Sequence, residues 1–281
     1  MNQTETDGTN PFQVILLATD GSEFSAGVER VGVEMAAQHG SRLHVLRLLL
    51  ADPGSDASIV EEQDAALNME RVNAMCAERG ITCENMLRHA EEPSQGILAA
   101  VREVGAQLLI LGRRGRRGMA KLMVGDATTR LLEKAECSVL VVPRLFSYWS
   151  SGVILALDAE ENDGDHAALG AFHLAQHAGL PLTILKITDE GEADRLEVNQ
   201  AVNRLVAMAK LREIDADGVI QSGDNPDDLI LEVARQRSGD IIVCEPRDRS
   251  MIDRLFHVNK LVHLIGRAHC PVMVVPARAA A

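Results

Sequence analysis

The sequence predicts an α/β chain built as two copies of one doubly wound, five-stranded parallel sheet. Three observations carry that prediction. Short continuous apolar runs alternate with helical patterns along the whole chain, as parallel strands with crossover helices require. Two of the runs end alike, VILLATD at Val14–Asp20 and VILALD at Val153–Asp158. The two halves also close alike, with CSVLVVP at Cys137–Pro143 and CPVMVVP at Cys270–Pro276. At an offset of 133, Leu108–Pro143 lies over Ile241–Pro276 without a gap, and Leu109, Ile110 and Leu111 fall on Ile242, Val243 and Cys244. A repeat of roughly 135 residues is a duplicated domain, since solenoid units run about 20–50 residues.

The elements follow in order. In the first half, strands are expected at 13–19, 43–49, 81–87, 107–111 and 138–142. Their β-branched and Leu content suits strands buried on both faces. Helices are expected at 24–38, near 59–79, at 94–104 and at 125–135. The second half repeats the order, with a helical pattern at His166–Ala178, a strand at Leu182–Ile187 and a helix around 226–237. That last helix opens with Asn225-Pro226-Asp227-Asp228, which puts proline in the first turn and acids at the positive end of the helix dipole. The boundaries read as a disordered tail at 1–11, a domain at 12–143, a linker at 144–150 and a domain at 151–276. The linker RLFSYWS holds the only Trp and the only Tyr, so it is expected to be docked rather than free.

Composition narrows the function. The 281 residues carry a net charge of −13, which opposes a general nucleic-acid or anionic-membrane binder. Aromatics are 2%, too few for a base-stacking surface. The five cysteines form no CxxC and suit a reducing cytosol. The polar start lacks an apolar signal segment, and the chain reads as cytoplasmic.

Against this acidic background one segment stands out. The fourth strand runs into Gly112-Arg113-Arg114-Gly115-Arg116-Arg117-Gly118, and Gly125-Asp126-Ala127 opens the next helix. The pattern is G-x2-G-x9-G, which is neither a Walker A loop nor GxGxxG. Glycines without Cβ atoms let backbone N–H groups converge on a phosphate, and the helix start adds a positive dipole end. Arg113, Arg114, Arg116, Arg117 and Lys121 make this the place where an anion is expected.

The strand-end Asp20, the LHVL strand, the glycine loop and the terminal CSVLVVP strand together resemble the universal stress protein family. The resemblance covers both halves and implies a tandem protein. It implies a sheet of order 3-2-1-4-5 (adenine nucleotide alpha hydrolase-like), with the two copies paired through their last strands as a pseudo-dimer. It also implies a stress-response role and ATP binding at the carboxyl ends of the strands. By that resemblance Ala18 and Asp20 would lie beside the adenosine and the Val45 backbone would meet adenine. Leu111, Gly112, Arg114 and Gly115 would line the ribose and phosphates, and Gly125, Asp126 and Ala127 would hold the outer phosphates. A protein partner is implied but not identified, and a further homodimer is left open.

Two departures qualify the resemblance. Nucleotide-binding members usually carry Ser or Thr where this chain has Asp126. A carboxylate there either repels phosphate, bridges to it through Mg²⁺, or serves only as a helix N-cap. In the second half Gly112, Gly115, Gly118 and Gly125 fall on Glu245, Asp248, Met251 and Val258. No nucleotide is expected there. A ligand-free scaffold is the alternative reading of the whole chain.

Other candidates are weaker. His166, His173 and His177 share a helix face, and the last two have a zinc-like i, i+4 spacing. Without HExxH or a nearby Cys they read as a solvated face, and no metal is expected. In the pairing of last strands that the resemblance implies, Cys137 and Cys270 would sit toward opposite ends, and no disulfide between them is expected. Asp20-Gly21-Ser22 reads as a strand-to-helix turn. No catalytic constellation is visible, so the chain is read as a non-enzyme, with slow ATP hydrolysis left open.

Overall fold

In the computed structural model, residues 10–113, 126–157, 165–188, 195–223, 225–245 and 254–276 are described. The first half runs β1 (Val14–Ala18), a 3₁₀ turn (Glu23–Ser25), α1 (Ala26–His39), β2 (Arg42–Leu49), α2 (Asp56–Glu78) and β3 (Cys83–His89). It continues with α3 (Pro93–Val104), β4 (Leu108–Gly112), α4 (Asp126–Lys134) and β5 (Ser138–Val142). The second half runs β6 (Val153–Leu157), α5 (Asp165–Ala178), β7 (Leu182–Thr188), α6 (Arg195–Lys210) and β8 (Ala216–Ser222). It closes with α7 (Pro226–Gln236), β9 (Ile241–Cys244), α8 (Arg254–Arg267) and β10 (Val272–Val274).

The strands form one ten-stranded sheet of order β3-β2-β1-β4-β5-β10-β9-β6-β7-β8. Each half therefore has the order 3-2-1-4-5. All pairings are parallel except the seam, where β10 and β5 run antiparallel with Met273 opposite Leu140. The pairing hides two strand edges that would otherwise be open to association.

Alternation along the strands splits the core between two faces. Ile15, Leu17, Leu108, Ile110 and Leu140 pack with residues of α1, α2, α5 and α6. Val14, Leu16, Leu109, Leu111 and Val139 pack with residues of α3, α4, α7 and α8. Each such buried Leu or Ile contributes about 1.5–3 kcal/mol relative to exposure. Both clusters cross the seam, so the halves share their cores.

Caps define the helix ends. Gly40 and Gly105 end α1 and α3 in the left-handed conformation. Pro226, Asp227 and Asp228 occupy the first turn of α7. The linker is docked: Trp149 is buried and stacks on Tyr148 at 4.0 Å between ring centroids. The Tyr148 hydroxyl donates to Gln38 Oε1 on α1. Asp240 then accepts the backbone N–H groups of Ser150, Ser151 and Gly152. Cys137 and Cys270 are buried free thiols at opposite ends of the seam, and burial pushes both up to about 12. No described helix is long and apolar enough to cross a membrane.

Candidate functional site

In the first half the sheet order reverses between β1 and β4. Open α/β sheets bind ligands at the carboxyl ends of strands beside such a switch point. Ala18 ends β1 and pairs with Leu111, while Gly112 ends β4 beside Val142. Ala18, Leu111 and Gly112 thus stand side by side, with Asp20 two residues beyond the end of β1. Val45 is buried in mid-β2, between Leu17 and Asn85. Asp126 is exposed at the first residue of α4, followed by half-buried Ala127. Arg114, Gly115 and Gly125 lie outside the described residues.

The turn after β1 is held from below. Asp20 Oδ1 accepts from Ser22 N at 3.0 Å, Ser22 Oγ at 2.6 Å and Ser25 Oγ at 2.6 Å. The carboxylate thereby folds the strand-to-helix turn, as Asp does in Asx turns. Gly21 has φ +67°, and a Cβ there would stand 3.1 Å from Asn68 Cβ and 3.3 Å from Arg47 Nε. The left-handed φ favours glycine, and a Cβ would crowd both side chains.

Beneath the turn lies a polar network for which the sequence gives only a weak signal. Glu29 on α1 is fully buried. Its Oε1 accepts from Thr19 Oγ1 at 2.6 Å and from Asn68 Nδ2 at 2.8 Å. Arg71 on α2 reaches its Oε2 at 2.6 Å. Thr19 Oγ1 in turn accepts from Gly21 N. Glu29 shares its helical stripe with Gly32 and Ala36, both buried. A lone acid on a stripe of small residues is the available signal. Arg47, also buried, closes the group on β2.

Arg113 requires a correction. The sequence groups it with the anion-binding cations of the loop. Its Nη1 instead donates to the carbonyls of Ile265, Gly266 and Ala268, at 3.1, 2.9 and 3.1 Å. These are the unpaired carbonyls at the end of α8 in the other half, where a cation also meets the negative end of the dipole. Arg113 ties the two halves together.

Strand registers give the matching positions of the second half. Ile15 pairs with Leu43 and Leu108, and Val153 with Leu182 and Ile241. Arg47 then corresponds to Lys186 and Gly112 to Glu245; Asp158, the sequence counterpart of Asp20, lies outside the described residues. Thr19 corresponds to Leu157, and matching the ends of α1 and α5, His39 with Ala178, each followed by a left-handed glycine, sets Glu29 over Ala168, so the polar network has no counterpart among the described residues. Lys186 is buried as Arg47 is.

Two other clusters lie outside this site. Cys83 donates to Asn73 Oδ1 at 3.0 Å, and a hydrogen bond from Cys76 holds its thiol below the ordinary cysteine range. In the second half, Asp227 meets His263, and Arg267 meets Asp228, joining α7 to α8.

Comparison with known proteins agrees with this architecture. The model of the universal stress protein family matches twice, over residues 11–143 and 152–276. A universal stress protein of Thermus aquaticus, encoded in the QAH/OAS sulfhydrylase 3′ region, is 30% identical over 135 residues, 47% of this chain and 98% of that protein. Universal stress protein YxiE of Bacillus subtilis is 26% identical over 147 residues, 47% of this chain and 99% of that protein. The crystal structure of a universal stress protein from Archaeoglobus fulgidus covers 95% of this chain and 99% of its own, with TM-score 0.74 and 18% identity.

Proposed function

Because the chain belongs to the universal stress protein family in both halves, we propose that it serves the stress response by holding an adenine nucleotide in its first half only. ATP is the ligand the resemblance implies. The observation that carries the reading is the inequality of two matching strand ends. At the end of β4 stands Gly112, which leaves the backbone open to a phosphate. At the matching position, one residue past the end of β9, stands Glu245, whose carboxylate repels one.

In this reading Ala18 and Asp20 border the adenosine, and the Glu29 network keeps their turn in shape. The Val45 backbone faces adenine. Leu111, Gly112, Arg114 and Gly115 line the ribose and phosphates, and Gly125, Asp126 and Ala127 hold the outer phosphates. Asp126 controls the electrostatics. A carboxylate about 4 Å from a phosphate charge costs roughly 4 kcal/mol at an effective dielectric near 20. Mg²⁺ between the two reverses that sign. The second half then serves as the structural and interaction partner, and the protein binds rather than catalyses.

Calorimetric titration tests this with ATP·Mg²⁺, and with ATP in EDTA, on the wild type and on Asp126→Ser. The expected result is one ATP per chain, dependent on Mg²⁺ in the wild type and independent of it in the variant. Binding by neither protein leaves the ligand-free scaffold, the reading that the exposed Asp126 carboxylate favours. Phosphate release above that of a Gly125→Val control would make the protein an ATPase instead.

A further inference from the structure

Three histidines from two different halves of the chain converge on one point. His39 ends α1 in the first half, and His173 and His177 lie one turn apart on α5 in the second. One ring nitrogen from each lies within 4.8 Å of those of the other two. The ring centroids are 4.8 Å apart for His39 with His173, 4.8 Å for His39 with His177, and 4.2 Å for His173 with His177. The geometry points to a metal site that bridges the two halves, with these three imidazoles as ligands to a divalent late-transition ion such as Zn²⁺.

Several independent observations fit. His39 Nδ1 and His173 Nε2 are buried and make no hydrogen bond among the described residues. Buried ring nitrogens without partners are unusual, and a metal ion would satisfy them. Burial first, and then the neighbouring imidazoles, lowers His39 to about 3 and His173 to about 4. Both rings are therefore neutral near pH 7, the form that offers a lone pair to a metal. Phe12 packs in a T-shaped arrangement with both rings, its centroid 6.3 Å from that of His39 and 5.6 Å from that of His173. His177 is exposed, which provides an entry path and an open side for a fourth ligand from solvent.

Distances set what must move. An ion central to three nitrogens that lie within 4.8 Å of one another sits at most about 2.8 Å from each, against about 2.0–2.1 Å in a zinc–imidazole bond. Each ring nitrogen has to advance by no more than about 0.7 Å, a modest side-chain adjustment in which exposed His177 has most freedom. The donor set is all nitrogen, which suits Zn²⁺, Ni²⁺ or Co²⁺ better than Mg²⁺ or Ca²⁺. The i, i+4 spacing of His173 and His177 supplies two ligands from one helix face. The third comes from residue 39, so the ion would clamp α1 to α5 across the seam.

The test uses the full-length, untagged protein stripped with EDTA and dialysed. Zinc added at micromolar concentration and pH 7.5 is expected to bind at one ion per chain. Co²⁺ is expected to give the visible absorption of a low-coordinate nitrogen site. His39→Gln and His177→Gln, from opposite halves, should each weaken Zn²⁺ binding at least tenfold, whereas His166→Gln should leave it unchanged. His177 is exposed, so its variant keeps the fold; thermal unfolding of each variant in EDTA checks this. Zinc should raise the unfolding midpoint of the wild type and of His166→Gln only. Absence of Zn²⁺ binding by the wild type overturns the proposal. So does binding that survives both His39→Gln and His177→Gln, which would place the metal elsewhere.

Discussion

Two buried helical glycines should respond to the same substitution with opposite signs. Gly27 lies in the first turn of α1, beneath the linker. A Cβ built there stands 2.7 Å from the Arg144 carbonyl oxygen and 3.0 Å from those of Phe146 and Pro143. All three obstacles are backbone, and the linker has little room to retreat. Phe146 N donates to Pro143 O, Arg144 pairs with Glu23 at 2.9 Å and covers the Phe24 ring at 3.9 Å, and Trp149 is buried beyond. Overpacking of this kind costs about 1–3 kcal/mol. The helix propensity of Ala returns at most about 1 kcal/mol, and less in a first turn. Gly27→Ala should therefore destabilise by about 1–2 kcal/mol. Gly170 on α5 differs: its Cβ would meet Phe12 and Val275 at 3.8 Å, an ordinary contact. There the propensity term stands alone, and Gly170→Ala should stabilise by up to about 1 kcal/mol. At roughly 2–4 °C per kcal/mol, calorimetry should show midpoint shifts of opposite direction. If Gly27→Ala raises the midpoint as Gly170→Ala does, the linker does not rest on α1 as described and the reasoning fails.

Three further predictions follow from the same geometry. Glu29→Gln keeps an acceptor for Thr19 and Asn68 but turns an amide donor toward Arg71; since Arg71 is half exposed and can rehydrate, the loss should be about 1–3 kcal/mol, below the full cost of a broken buried pair, and urea unfolding measures it. Glu92 caps α3 and binds Arg130 of α4, and hydrogen bonds from Ser94 hold its carboxyl below the ordinary range. Its contribution is present above the unfolded glutamate pKa and lost as pH falls through the folded one, so the gap in melting temperature between wild type and Glu92→Gln should close on acidification below about pH 4. Among Cys76, Cys83, Cys137 and Cys270, Cys83 is the one held below the ordinary range, whereas the other three are pushed up, so iodoacetamide near pH 7.5 should label Cys83 first; mass spectrometry showing Cys137 or Cys270 modified earlier would contradict this.

What could be read from the sequence was what repeats locally. Central parallel strands bury both faces, so VILLA, LLILG and SVLVV are almost wholly apolar runs, and the registers of β4 and β5 against β9 and β10 bear out the offset of 133 over Leu108–Pro143. Edge strands are harder. In β3 only Met86 is buried, and the strand spans 83–89 rather than 81–87. Helix α2 begins at Asp56, earlier than its apolar pattern suggests, because the Ser55 side chain caps Ser58 N. Contacts between halves left no local trace. Arg113 and Ile265 are 152 residues apart, and nothing in a run of arginines marks which one leaves the loop to cap a helix. His39 likewise shares no spacing with His173 and His177, so the helix face read as solvated is half of a cluster completed by the other copy.

Those same contacts show what fusing two copies permits. A twofold interface between identical subunits must be self-complementary, so every residue acts on both sides of the axis. In one chain the two sides can differ. Arg113 caps α8 of the second half, but the matching position in the second half is Pro246, which has no side-chain donor to return the contact. His39 meets a His pair on α5, while the positions matching His39, His173 and His177 are Ala178, Glu34 and Gln38. A symmetric dimer of the first half would oppose two copies of Glu34, Gln38 and His39, and one of the second half would oppose two His pairs. Neither assembles this three-histidine cluster from the two matching helices. The asymmetry at the seam thus parallels that at the strand ends, where Gly112 and the Glu29 network face Glu245, Leu157 and Ala168. Duplication left the fold twice over and let each copy carry chemistry that a symmetric pair would have to display in duplicate.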